Sequence, residues 1–194
     1  MRTQAILPLL IVALCFSASS LGCGDDDSGG SGSRHVKVFV TEGEFTGNVG
    51  GLAGADLICT ASARKAGLSG GWVAWLSDGN VDARDRILDA EYRLMDGQVV
   101  ANDKADLTDV MLDLNTAIDL HASGAPNTGD PDVWTGTLAS GLTDTTCSQW
   151  TNAGAANSGK FGLANQTGNT WTDSGSQFCD ELNRLYCFSD DLVK

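Results

Sequence analysis

Apolar positions gather along the chain in short runs divided by polar, glycine-rich stretches, which predicts many brief elements instead of a few long helices. Residues 36–41, VKVFVT, are rich in β-branched side chains and predict the first strand. Gly47-Asn48-Val49-Gly50-Gly51 then reads as a loop into a helix over residues 52–66. Leu52, Ala55, Ile58, Cys59, Ser62 and Ala66 fall on one helical face, with Gly67 as the stop, so Cys59 is expected to look inward. Residues 72–76, WVAWL, predict a central strand followed by an acidic turn over 77–82. Tyr92-Arg93-Leu94-Met95, Asp96-Gly97 and Gln98-Val99-Val100 predict a hairpin with an Asp-Gly turn. A short helical piece is expected over 106–114, a loop over 124–132, and strands over 133–136, 147–151 and 185–189. In the last of these, Leu185-Tyr186-Cys187-Phe188 is bulky and apolar throughout, so it should be docked as a buried strand. If Cys187 is bonded to a cysteine near the start of the domain, this strand lies beside the first and closes the fold.

The N-terminus follows different rules. Arg2, the apolar stretch from Ala5 to Phe16 and the small residues Ser17 to Gly22 make residues 1–22 a secretory signal peptide, too short for a permanent bilayer span. The residues before Cys23 resemble the lipobox of bacterial lipoproteins, although Ser20 stands where that pattern usually has leucine. The resemblance implies a lipid on Cys23; the alternative is a plainly secreted chain. Six cysteines, less Cys15 in the signal, leave an odd set for an oxidising compartment. Lipidation of Cys23 restores an even set: Cys59, Cys147, Cys179 and Cys187. Gly24, not Asp, follows Cys23, which by resemblance to Gram-negative sorting rules implies the outer membrane. The rest of residues 23–33, GDDDSGGSGS, carries no side chain that can bury surface and is expected to be a flexible tether reaching about 17 Å.

Residues 34–194 are one domain's length of chain and hold all five tryptophans. A formal net charge of −13 disfavours nucleic acid, anionic lipid and heparin-like polyanions as partners. Gly67-Leu68-Ser69-Gly70-Gly71 fits G-x-S-x-G, but a hydrolase elbow needs a strand before it and a helix after, and the order here is the reverse. It reads as a turn. His35 and His121 stand in no triad or metal-ligand spacing, and His121 reads as structural, so catalysis is not expected. Asp78, Asn80, Asp82 and Asp89 partly match a calcium loop, but Ala83 replaces its glycine and Asp89 its glutamate, which favours a polar turn capping the next helix. Four cysteines without C-x2-C pairs argue disulfides over zinc, and three pairings are open.

GLAGADLIC (51–59), AGLSGGWVAWLS (66–77), VWTG (133–136), CSQW (147–150) and the final C-x7-C segment resemble, in that order, the endostatin module of certain collagens, which has a C-type-lectin-like fold. The chain also resembles a family of bacterial lipoproteins labelled only as a domain of unknown function. The resemblance implies an α+β fold with mixed, mostly antiparallel sheets, one or two helices, long loops and two nested disulfides, Cys59 with Cys187 and Cys147 with Cys179. Endostatin's zinc histidines and arginine-rich heparin surface are not reproduced. Ala125-Pro126-Asn127 and Trp171-Thr172-Asp173 stand in the order of the calcium-dependent lectins' ligand motifs, each altered at one key residue. Asn127, Asp130, Asp132, Trp171 and Asp173 are therefore the candidate ligand residues, and residues 152–177 the expected ligand-bearing loop. No cofactor is expected, calcium being the one ion with partial motifs. The function expected is a cell-envelope lipoprotein presenting a non-catalytic lectin-like module to an unidentified glycan or protein ligand. The alternative is a calcium-dependent carbohydrate-binding protein or adhesin.

Overall fold

A computed structural model describes residues 34–193, so the segments expected to be a signal peptide and a tether, and Cys23 between them, lie outside the described residues. Eight strands form a mixed sheet: β1 (His35–Val40), β2 (Trp72–Ala74), β3 (Glu91–Arg93), β4 (Val99–Ala101), β5 (Asp132–Trp134), β6 (Ser158–Leu163), β7 (Gly175–Phe178) and β8 (Arg184–Ser189). The order is β4-β3-β1-β8-β5-β6-β7, with β2 also paired to β8. Among the described residues, three right-handed α-helices accompany them, α1 (Gly51–Lys65), α2 (Ala83–Arg86) and α3 (Lys104–Leu107), with a short 3-10 turn at Asn169–Trp171. The class is α+β, with two disulfides, as expected.

The strand β8 is the centre. Its residues Phe188, Cys187 and Tyr186 pair antiparallel with Val38, Phe39 and Val40 of β1. Its other edge takes two partners in turn, β5 in parallel at Arg184 and Leu185, then β2 antiparallel from Cys187 to Ser189. All six residues are buried because alternate side chains enter two separate cores. Tyr186 and Phe188 join Val36, Val38, Val40, Trp75 and Tyr92 on one face. Leu185 and Cys187 join Phe39, Trp72, Trp134 and Trp150 on the other. Two-sided burial is why the run is continuously apolar instead of alternating.

On the second face lies α1, which buries Ala55, Cys59 and Ala63, residues small enough for close approach to the sheet. The buried stripe runs through Ala63, not the expected Ala66. Gly67 ends the helix at φ 81°, its N–H donating to Arg64 O while Leu68 N–H donates to Ala63 O, the paired bonds of a Schellman stop. The G-x-S-x-G segment is this turn. Both nested disulfides form: Cys59 on α1 to Cys187 on β8, and Cys147 to Cys179. The hairpin forms between β3 and β4, with Gly97 at φ 91° in its turn.

Three expectations are corrected. Cys147–Trp150 is no strand but a single left-handed turn, with φ of 48, 54, 59 and 62° at its four residues. Such backbone costs about 1–2 kcal/mol per non-glycine residue. It is held by the Cys147 disulfide, by Trp150 Nε1 donating to Ser77 O (2.5 Å), and by Trp150 O accepting from Val49 and Gly50. Residues 152–177 are not simply a loop, since they contain β6 and most of β7. Glycines disguise those strands: a Cβ on Gly162 would sit 2.0 Å from Trp171 O, and one on Gly159 2.7 Å from Cys147 Sγ. The helical piece expected over 106–114 is α3, displaced towards the N-terminus. Asp103 caps it by accepting from Asp106 N–H, and Thr108 closes it by donating back to Lys104 O.

Candidate functional site

The edge strand β7 borders an open groove of about 510 Å³, whose walls come from two distant stretches of chain, residues 130–132 and 176–181, with Ser158 of β6 between them. Gln177 stands in the middle, held at both ends of its amide. Its Nε2 donates to Asp132 Oδ2, and its Oε1 accepts from Asn183 Nδ2 at 2.7 Å. Phe178, next to it, is 59 % exposed, while Cys179 beyond is pinned by its disulfide and by backbone bonds to Asn157 and Gly47. An aromatic ring is thus presented to solvent from a fixed backbone, with Glu181 close by in the following turn.

The opposite wall is set by a buried cation. Arg184, at the start of β8, donates from Nε to Asp130 O (2.9 Å), and Asn127 Nδ2 donates to the same carbonyl at 3.1 Å. Asn127 Oδ1 also accepts from Gly129 N–H, and Asp130 Oδ1 from Asp132 N–H. These bonds fix the 127–132 turn and aim its carboxylates at the groove. Partial burial, opposed by the Gln177 hydrogen bond and reinforced by the neighbouring Asp130 charge, raises the Asp132 carboxyl above its ordinary pKa. The chemistry on offer is acceptor-rich: carboxylates that take hydroxyl or ammonium donors, one oriented amide, and an apolar face.

Asn127, Asp130 and Asp132 therefore come together, whereas Trp171 and Asp173 are placed elsewhere. Trp171 is 3 % exposed and packs on Trp75 and Tyr186 at centroid distances of 5.2 and 5.5 Å, and its carbonyl accepts from Tyr186 Oη. Asp173 accepts from Ala139 N–H and pairs with Lys160 Nζ at 2.8 Å, which also reaches Asp144 at 3.0 Å. Burial opposes the Lys160 charge, but its two carboxylate partners outweigh it and raise its pKa. Both residues hold the fold.

Among the described residues, no cluster of three or more His, Cys, Asp or Glu is arranged to hold a metal ion. The carboxylates of the partial calcium loop serve separate turns. Asp78 Oδ1 accepts from Asn80 and Val81 N–H, Asp82 Oδ1 from the N–H and hydroxyl of Thr143, and Asp89 Oδ1 from Lys104 N–H. Thr143 also holds the Asp82 pKa down. Helix α2 is capped not by Asp82 but by Ser77, whose Oγ accepts from Ala83 N–H. His121 Nδ1 donates to Val40 O at 3.0 Å, a structural placement.

A family model described only as a protein of unknown function, DUF1554, matches residues 42–167. The chain belongs to the DUF1554 family. No curated protein matches it. The DUF1554 match contains Cys59 and Cys147 but ends before their partners Cys179 and Cys187, and before β7 and β8. One wall of the groove, Asp130 and Asp132, falls inside the matched segment, while Gln177, Phe178, Glu181 and the organising Arg184 fall outside it. Gln177 closes the stretch expected to bear the ligand, whereas Phe178, Glu181 and Arg184 are residues that the sequence reading passed over. Arg184 carried a signal, since a charge opening an apolar run must find acceptors inside the protein. Phe178 carried little, because a lone phenylalanine gives no hint of its exposure.

Proposed function

We propose that this DUF1554 protein is a non-catalytic binding module with a C-type-lectin-like fold, carried at the cell envelope by a lipid on Cys23. The groove at β7 is its ligand site. The observation that carries this is the exposed Phe178 ring set beside Asp130, Asp132, Gln177 and Glu181 on backbone fixed by a disulfide and a buried arginine. An aromatic face flanked by convergent acceptors suits a sugar, whose C–H face packs on the ring while its hydroxyls donate to the carboxylates. Preorganisation lowers the entropy lost on binding. The lectin-like reading is supported by the antiparallel neighbours β1 and β8, by the helix tied to the last strand through Cys59 and Cys187, and by the inner Cys147–Cys179 bond. Outer-membrane anchoring rests on the sequence around Cys23.

The test is a glycan and protein array probed with the full-length chain in detergent, alongside its Phe178→Ala and Asp132→Ala variants, with and without a chelator. Signals lost in both variants support the groove, and a signal abolished by chelator selects the calcium-dependent form. Array signals indifferent to both substitutions would remove the groove from the function. Anchoring is tested separately: Cys23→Ser should move the protein to the soluble fraction, and unchanged membrane partition would refute lipidation.

A further inference from the structure

On a different part of the domain, a cavity of about 280 Å³ opens between the C-terminal half of α1, the chain leaving β1 and the 122–123 segment. Its wall is apolar on one side, where Ala122 and the half-buried Phe45 line it and the fully buried Phe39 stands behind them. Its rim is charged. Lys65 on α1 and Glu42 on the segment after β1 face each other at 3.0 Å, with side chains 79 % and 51 % exposed. Ser62 adds a hydroxyl whose proton goes to Ile58 O, leaving its oxygen as an acceptor.

We propose that this cavity binds a free α-amino acid with an apolar side chain. The ligand ammonium pairs with Glu42, its carboxylate with Lys65, and its side chain lies against Phe45 and Ala122. Size sets the upper bound, because pockets for drug-sized ligands run from roughly 300 to 1,000 Å³ and this one, about 280 Å³, falls just short of that range. Charge sets the ligand class. An exposed ion pair is weakly held, so a zwitterion can part it and replace one pair with two. A hydrocarbon would satisfy neither charge, and a simple amine or acid only one.

The rim is also placed for the task. Arg184 donates through Nη1 to the carbonyls of Thr41 and Glu42, which fixes the backbone that carries the carboxylate. Glu42 is held ionised by its hydrogen bond and charge interaction with Lys65. Gly43 leaves room for the Phe45 ring, which a Cβ there would meet at 3.1 Å.

The experiment is calorimetric titration of the full-length protein in detergent with L-leucine, 3-methylbutylamine and 4-methylpentanoate. Leucine should bind, and each singly charged analogue should bind about tenfold or more weakly, the worth of one charge-assisted hydrogen bond. Glu42→Gln and Lys65→Met, both at exposed positions, should each weaken leucine by a similar factor, while Phe178→Ala leaves it unchanged. Ala66→Trp should fill the mouth and abolish binding. No heat with millimolar leucine, an amine that binds as tightly as leucine, or an affinity indifferent to both rim substitutions would each overturn the proposal.

Discussion

Arg184 Nη2 lies 2.7 Å from Glu44 Oε1, with the arginine side chain only 7 % exposed. The same guanidinium donates to the carbonyls of Thr41, Glu42 and Asp130, so one buried cation ties the end of β1 to the turn that shapes the groove.

Arg184→Met should therefore destabilise the domain by roughly 3 kcal/mol or more, because it leaves carboxylate and carbonyl acceptors unpaired. Arg184→Lys should recover little of this, since a single ammonium cannot serve acceptors spread around a planar fork. Urea denaturation of the three proteins measures it, and a lysine variant as stable as wild type would show that charge alone suffices.

The left-handed turn predicts an opposite effect. Ser148 and Gln149 are exposed, with φ of 54 and 59°, and glycine adopts such values without the Cβ conflict. Gln149→Gly should stabilise by about 0.5–1 kcal/mol after allowing for the greater freedom of glycine in the unfolded chain. A chemical melt that shifts to lower denaturant would mean that the turn is not strained.

Asp132 predicts a pH dependence. Its folded-state pKa is raised above the ordinary 3.8, so in the window above that value the folded chain binds more protons than the unfolded one. Stability from this group is then present at low pH and lost as pH rises through the folded pKa. Asp132→Asn keeps an acceptor for Gln177 and removes the charge, so it should melt higher than wild type at about pH 7, with the gap closing by about pH 3. Equal differences at both pH values would count against burial as the cause.

The two disulfides should differ in worth. The outer bond closes a separation of 128 residues and the inner one 32. The chain-entropy relation then gives about 5 kcal/mol for the first and about 4 for the second. Removing Cys147 and Cys179 together should leave a weakened but folded domain, read from melts of the paired serine variants. A more severe loss than for the Cys59 and Cys187 pair would point to the left-handed turn collapsing with its bond.

Acidity should keep polyanions away: the chain should pass through heparin and DNA columns at physiological salt, and retention would reveal a local basic surface that the net charge of −13 conceals.

By itself, the sequence determined the parts whose signals are local. Continuous apolarity in residues 185–188 reports burial on both faces, helical spacing around Cys59 with Gly67 beyond it reports a capped helix, and Asp96-Gly97 reports a hairpin turn. Each depends on neighbours within a few residues. Tertiary structure decided what depends on distant partners. The glycines of β6 depress strand propensity, and only the proximity of Trp171 and Cys147 explains them. Positive φ over Cys147–Trp150 is imposed by a disulfide, by Ser77 and by the helix-entry loop, none of them adjacent in sequence. Trp171 and Asp173 match a ligand motif in order, yet one faces the core and the other pairs with Lys160, because motif spacing says nothing about which way a side chain points. The groove needed residues 130–132 to meet residues 176–181, a meeting made by the Gln177 to Asp132 hydrogen bond and by Arg184, whose acceptors lie on two separate segments, 41–44 and Asp130.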